Sequence, residues 1–330
     1  MAQVLRPLKR MFGDNAAPGV VAGLASIDDA AAFRVAKGRL SVFTLDFFPP
    51  VVDDAGDYGA IAAANSMSDV WAMGADPVMA LNIALLPPDM PPSIREKILI
   101  EAGKQVKKAG AVIAGGHTMD NKEPIFGLAV FGLGREDELM SKTSLVPGSM
   151  IILTKPLGSG VITTAAKKDM APPSSIKSAV FYMRQLNMDA SRIARKHKVT
   201  CATDVTGFGM LGHCLDMCSN RPLGMEIWLP AIDFIQGSLD LAEKWLFPGG
   251  AVSNRSAYSK MVEIDPSINP NESMLLFDPQ TSGGLLLQVE PSRVDSMLSD
   301  LEVKGYRASC IGRVVERDDP VKIHVSNSRP

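Results

Sequence analysis

An α/β (α+β type) protein of two domains is predicted by three observations. The chain has 330 residues, more than one small core requires and enough for two. Apolar β-rich runs alternate along it with segments of helical period. A Pro147-Gly148-Ser149 break interrupts the alternation near the middle, dividing residues 1–147 from 148–330.

In the first part, strands are expected near 40–46, 80–85, 111–114 and 125–133, with helices at about 57–73 and 93–109. The helix 57–73 would be capped by Asp57, presents an apolar stripe of Ile61, Ala64, Met67, Val70 and Trp71, and stops before Gly74. Ser93-Ile-Arg-Glu96 has the form of a capping box for the second helix. The second part opens with a strand over 150–155, and Pro156-Leu-Gly-Ser-Gly160 leads into a helix. A helical stretch from Ile176 to His197 is expected to break near Asn187. Further strands fall near 199–203, 224–228, 283–289, 306–314 and 321–325, and further helices near 207–218, 231–245 and 291–302.

Composition narrows the class. Hydrophobic residues make up 46% and aromatic residues 6%, as in an ordinary globular enzyme. The net charge is −2, with lysine and arginine dispersed, so no nucleic-acid partner is expected. No apolar span of 18 residues and no signal-like N-terminus occurs, which predicts no membrane partner and a cytoplasmic location. Cysteines at 201, 214, 218 and 310 do not make a disulfide framework in a chain this long. Cys214 and Cys218 beside His213 imitate a zinc site, but no paired C-x-x-C accompanies them, and packed thiols are the expectation.

The chemistry is expected to lie with aspartates. Asp69 falls late in helix 57–73, where the negative pole of the macrodipole disfavours a carboxylate unless a cation is near, the alternative being a solvated surface side chain. Asn65 is one turn earlier on the same face. Asp46 closes the strand 40–46, at the end where α/β folds bind ligands. Asp28 and Asp29 are adjacent like charges that a shared cation would relieve, or else an ordinary turn. Asp204 follows a strand and precedes a helix. Oxygen-only donors of this kind suit Mg²⁺ rather than zinc.

Three glycine-rich segments are candidates for cradling oxyanions with free backbone N–H groups, or are plain turns: Ala114-Gly-Gly-His-Thr118, Pro248-Gly-Gly-Ala-Val-Ser-Asn-Arg255 and Asp278-Pro-Gln-Thr-Ser-Gly-Gly284. Gly207-Phe-Gly-Met-Leu-Gly212 fits G-x-G-x-x-G with Glu226 downstream. Asp204 just ahead of it would repel a pyrophosphate, which argues against a dinucleotide fold. A Walker A loop and the kinase signatures are absent from the sequence.

Taken together, Thr44-Leu-Asp-Phe-Phe, Asn65-Ser-Met-Ser-Asp-Val-Trp-Ala-Met-Gly74, Ala114-Gly-Gly-His, Glu123-Pro-Ile-Phe-Gly127, Leu153-Thr-Lys-Pro-Leu-Gly158, Thr203-Asp-Val-Thr-Gly-Phe-Gly-Met-Leu-Gly-His213, Pro248-Gly-Gly and Asp278-Pro-Gln-Thr-Ser-Gly-Gly284 resemble selenophosphate synthetase (selenide, water dikinase). That family lies within the aminoimidazole ribonucleotide synthetase-like superfamily. The resemblance implies conversion of selenide, ATP and water to selenophosphate, AMP and orthophosphate, with Mg²⁺ as cofactor. It implies a homodimer whose first domains build a β-barrel-like interface, with selenide or a selenium-delivery protein as partner. By motif, Asp29, Asp69 and Asp204 would hold Mg²⁺, while Asp46 and Asp69 would line the ATP site. Ser26, Ile27 and Asp28 would contact the nucleotide, and Gly116, His117 and Thr118 would reach it from the partner subunit.

Two departures bear on activity. The family's Cys or selenocysteine, and its essential Lys, are expected upstream of Met1. The first cysteine here is Cys201. Expectation is therefore of a truncated core with impaired turnover. Leu45 stands where family members commonly carry Thr, which removes a hydroxyl beside Asp46 and is expected to alter phosphate contacts. Alternatives are another ATP-using enzyme of the superfamily, of ribonucleotide cyclo-ligase type, and a non-catalytic nucleotide-binding paralogue.

Overall fold

The computed structural model describes residues 7–8, 10–12, 18–24, 28–219 and 221–329. Among them, two mixed sheets carry the fold. The first contains β1 (Val20–Ala22), β2 (Ala31–Ala36), β3 (Arg39–Phe48), β4 (Asp76–Leu86), β5 (Val112–Asp120) and β6 (Ile125–Arg135), ordered β1-β2-β3-β6-β4-β5. Helices α1 (Ala55–Ala72) and α2 (Pro92–Lys108) are its partners. The second sheet has order β10-β13-β9-β12-β7-β11-β8. Its strands are β7 (Met150–Leu153), β8 (Ala202–Asp204), β9 (Leu223–Trp228), β10 (Val262–Ile264), β11 (Leu285–Val289), β12 (Ser309–Glu316) and β13 (Ile323–Ser326). The helices of this half are α3 (Ser159–Ala166), α4 (Pro173–Arg184), α5 (Met188–Lys196), α6 (Gly209–Cys218), α7 (Ser238–Glu243), α8 (Gly249–Tyr258), α9 (Pro270–Met274) and α10 (Val294–Val303).

Helix α1 is the element that positions the site. It packs against β3, β6 and α2 of its own half and against α4, α5 and β8 of the other. A helix enclosed on all sides must be uncharged nearly all round. Only Ala55, Asp57 and Asp69 of α1 escape full burial. Gly59 permits the approach of α2, since a Cβ there would sit 2.1 Å from the Ile98 carbonyl oxygen. The cap is Asp54, whose carboxylate accepts from the N–H groups of Gly56 and Asp57, rather than Asp57 itself. Asp57 instead lies in the first turn and pairs with Arg184 at 2.5 Å.

Other expectations shift for identifiable reasons. Pro92 at the first position starts α2, which places Ser93 inside the turn, and no side chain caps this helix. Residues 114–118 belong to strand β5 rather than to a loop after it, because the run continues to Asp120 in register with β4. Pro248 to Arg255 is no loop either, for Gly249–Tyr258 forms α8. The expected helix 231–245 shrinks to α7, since Phe234 bridges to Leu157. Strands β1, β2 and β10 were not expected. The break near Asn187 separates α4 from α5, and the Asn187 amide donates to Ser68 Oγ and to the Gly283 carbonyl, both at 2.9 Å.

The G-x-G-x-x-G segment opens α6 after β8, yet β8 is an edge strand paired antiparallel with β11 and is not adjacent to β9. No parallel βαβ unit is formed, so the dinucleotide geometry is absent there. Two of its three glycines serve packing: a Cβ on Gly209 would meet the Phe277 backbone at 2.7 Å, and one on Gly212 would meet Phe208 and Tyr258.

Candidate metal and phosphate site

Strand β3 alternates strictly past Val42. Phe43, Leu45 and Phe47 face outward, while Thr44 and Asp46 face α1. Leu45 therefore lies on the opposite face of the sheet from Asp46, and the expectation that its missing hydroxyl alters contacts beside Asp46 does not hold. Asp46 sits two residues inside the strand end rather than closing it. Ser66 joins helix to sheet, donating from Oγ to the Asp46 carbonyl at 2.9 Å and accepting the Leu128 N–H at 3.1 Å.

Each acidic side chain has its own support. Thr44 Oγ1 donates to Asp69 Oδ2. Asn65 Nδ2 donates to Asp46 Oδ2 at 3.0 Å. Thr203 Oγ1 and Lys142 Nζ both reach Asp29 Oδ1, at 2.9 and 2.6 Å. Asp204, at the end of β8, is 1% exposed and receives the Ser68 hydroxyl. Asp28 turns the other way, accepting from Ser141 Oγ at 2.8 Å and the Lys142 N–H at 2.9 Å. The adjacent pair thus does not share one cation. Ser26 and Ile27 lie outside the described residues.

Asp29, Asp69 and Asp204 each offer a carboxylate oxygen, and the three atoms lie within 4.8 Å of one another. They come from the segment before β2, from α1 and from the other half's β8. Burial pushes all three carboxyls up from their ordinary values. Mutual repulsion adds to this, with Asp204 acting on Asp29 and on Asp69. Asp46 is raised for the same two reasons, burial first and then Asp204. Asp29 Oδ2 and Asp204 Oδ2 are buried with no hydrogen-bond partner. Unpaired buried oxygens on a repelling cluster are what a hard cation would satisfy. These residues fit Mg²⁺.

The glycine-rich loops do not present free cradles. In Asp278 to Gly284, the N–H groups of Gln280, Thr281 and Ser282 are bonded to the Thr206 carbonyl, Ser159 Oγ and Asn65 Oδ1. The N-terminal amides of α3 are likewise taken, Val161 by the Asp278 carboxylate and Gly158 and Ser159 by Gln280 Oε1. Gly116 is in one sheet row with Asp46 through Leu128 and Asn82, so three strand spacings, about 14 Å, separate them. His117 points with Ile83 to the other face. Within one chain, Gly116, His117 and Thr118 are not brought to the aspartates.

Lys142, Lys155, Thr44 and Thr203 carry site contacts that sequence reasoning assigned no role. Lys155 is 1% exposed and donates to the carbonyls of Gln185 and Ser282 at 2.6 and 2.9 Å. Burial pushes its ammonium down to about 7, against the opposing pull of Asp204. A lysine two residues after the apolar run Ile151–Leu153 was the available signal. His213 Nε2 accepts the Thr206 N–H at 3.0 Å, and all four cysteines are buried and free, so no zinc arrangement forms with Cys214 and Cys218. Among the described residues, no helix is long and apolar enough to cross a membrane.

Residues 27–134 match the family model described as AIR synthase related protein, N-terminal domain, and residues 146–324 match its C-terminal domain counterpart. Two α/β domains, each built on its own mixed sheet, define this class of protein. Selenide, water dikinase of Carboxydothermus hydrogenoformans is 40% identical over 312 residues, 94% of this chain and 90% of that protein. The enzyme of the same name from Myxococcus xanthus is 40% identical over 316 residues, 95% and 89% of the two chains. This chain belongs to the selenide, water dikinase family. Among solved structures, thiamine monophosphate kinase from Aquifex aeolicus superposes with a TM-score of 0.69 at 15% identity, covering 99% of this chain and 97% of that one. E. coli HypE, a hydrogenase maturation protein, gives 0.66 at 17% identity, with 98% and 93% covered. These two share the fold.

Proposed function

We propose that the chain makes selenophosphate from selenide, ATP and water, releasing AMP and orthophosphate, with Asp29, Asp69 and Asp204 holding Mg²⁺. The observation that carries this is the meeting of three carboxylate oxygens within 4.8 Å, two of the residues leaving a buried oxygen unpartnered. Bound there, Mg²⁺ would neutralise the charge of the transferring phosphates.

The chain's own residues do the positioning. Thr44 and Thr203 fix the rotamers of Asp69 and Asp29, and Asn65 orients Asp46 at the edge of the cluster, where it lines the ATP site. The closed loop Asp278–Gly284 walls the second half's side through its bonds to Asn65 and Asn187. No described cysteine supplies a ready nucleophile, because burial holds the thiols of Cys201, Cys214, Cys218 and Cys310 above their usual value. Their unpaired state accords with the reducing cytoplasm.

A homodimer completes the reading. The outer face of the first sheet exposes Phe33, Phe43, Leu45, Phe47, Leu81 and Leu133, each 39–54% accessible. A contiguous apolar face of this kind marks an interface. Two such faces, packed together, would close the barrel-like contact and let Gly116, His117 and Thr118 on the exposed edge strand β5 serve the partner's nucleotide.

Mn²⁺ and ATP-analogue binding by Asp69→Asn tests the site. Binding should fall at least tenfold, and an unchanged affinity would remove Asp69 from it. Product analysis tests the reaction: selenide-dependent AMP is expected, whereas ADP as the sole nucleotide product would assign the chain to another activity of the superfamily.

A further inference from the structure

Lys142 is placed unusually for a residue beside a carboxylate cluster. Its side chain is 7% exposed and its Nζ lies 2.6 Å from Oδ1 of Asp29, itself 4% exposed. Its backbone is pinned as well. The Lys142 N–H donates to Asp28 Oδ1 at 2.9 Å, Ser141 Oγ donates to the same atom at 2.8 Å, and the Lys142 carbonyl accepts from Cys201 Sγ. The ammonium is therefore held at both ends of its residue.

Asp29 divides its two oxygens in consequence. Oδ1 takes Lys142 and Thr203, while Oδ2 is buried without a partner. One oxygen is already neutralised by a fixed charge, and the other is left without a partner in a residue that clusters with Asp69 and Asp204. A divalent ion accepted by Oδ2 would sit a few ångströms from the ammonium, where like charges repel strongly in a partly dry site. A buried pair of this kind also leaves a bare charge if one partner goes.

We propose that Lys142 is a positioning residue and resident counter-ion of the cation site. It turns Asp29 Oδ2 toward Asp69 and Asp204, and it weakens the site for a free divalent ion. The ion then binds well only when a nucleotide polyphosphate brings negative charge to offset the lysine, so metal and nucleotide enter together. This rests on the cation site proposed above and adds to it the device that couples its two ligands.

The test is Mn²⁺ binding followed by electron paramagnetic resonance, with and without a non-hydrolysable ATP analogue. Lys142→Gln keeps a donor for Asp29 and loses the charge; Lys142→Arg keeps the charge. Free Mn²⁺ should bind Lys142→Gln at least tenfold tighter than the parent, and the tightening by nucleotide should shrink to match. Lys142→Arg should resemble the parent. Equal or weaker Mn²⁺ binding by Lys142→Gln overturns the proposal.

Should Lys142→Gln unfold without metal, Mn²⁺ should raise its Tm more than it raises that of the parent, and no such excess overturns the proposal too. Loss of Mn²⁺ binding in Asp69→Asn together with parental binding in Lys142→Gln removes the role of Lys142 and leaves the cation site standing. Absence of Mn²⁺ binding by every protein, with or without nucleotide, overturns both.

Discussion

The side-chain carbonyl of Asn65 accepts the backbone N–H of Ser282 at 2.9 Å, across 217 residues of sequence. The amide nitrogen of the same side chain donates to Asp46. One residue of α1 thus holds the loop of the second half and aims a carboxylate of the first. Ser282 is itself held in the left-handed region at φ 50° and accepts Lys155 at its carbonyl.

Asn65→Ala should cost about 1–3 kcal/mol, the usual penalty for a buried N–H left unpaired. Urea unfolding measures it. Nucleotide affinity should fall in the same variant, because Asp46 loses its only side-chain donor among the described residues. A change in stability under about 0.5 kcal/mol would mean that Ser282 finds another acceptor.

Two glycines on facing helices should respond in opposite directions. Gly59→Ala drives a methyl to 2.1 Å from the Ile98 carbonyl oxygen, so α1 and α2 must separate. A loss of about 1–3 kcal/mol or more is expected in thermal unfolding, as for overpacked cores. Gly103, inside α2, has only Ile113 Cδ1 near, at 3.9 Å. Gly103→Ala should therefore stabilise by up to about 1 kcal/mol through helix propensity.

Leu45→Lys should make the protein monomeric in sedimentation at micromolar concentration without loss of fold, since Leu45 is 54% exposed in the single chain. Val303→Lys, 81% exposed at the end of α10, is the matched control and should leave the oligomeric state unchanged. A dimeric Leu45→Lys would displace the interface from the outer face of the first sheet.

Asp278 makes the metal-free protein pH-sensitive. Burial raises its carboxyl from 3.8 to about 7. A carboxyl whose folded value lies above its unfolded one contributes stability in acid and loses it as pH rises through about 7. The full effect is at most about 4 kcal/mol. Asp278→Asn, which keeps an acceptor for the Val161 N–H, should flatten the decline in Tm between pH 5 and pH 8. A slope identical to the parent's would assign the decline to other groups.

Element type was largely legible from hydrophobic period. β3, β6, α1 and the broken helix at Asn187 follow from apolar spacing and punctuation. The misplacements occur where tertiary contacts outvote local preference. Glycines at 115 and 116 look like a turn, yet β5 extends through them because β4 offers a parallel partner and Gly116 fits against the Asn82 backbone. Pro248-Gly-Gly reads as a loop, but Asn254 of α8 is anchored to the carbonyls of Gly207 and Phe277.

The acidic residues show the same division. From sequence, Asp29, Asp69 and Asp204 were identifiable as ill-placed carboxylates with hard-ion chemistry, and motif order carried the family. Chain order cannot reveal that these three meet, since they arrive from the approach to β2, from α1 and from β8, and only the packing of one half on the other brings their oxygens within 4.8 Å. Nor could it show that Asp28 and Asp29 part company, or that Leu45 faces away from Asp46, which follows from the strand's alternation once its register is set. Lys142 carried no local signal at all. Its role exists because a surface-like turn folds inward onto Asp29, and burial turns an ordinary ion pair into a fixed charge.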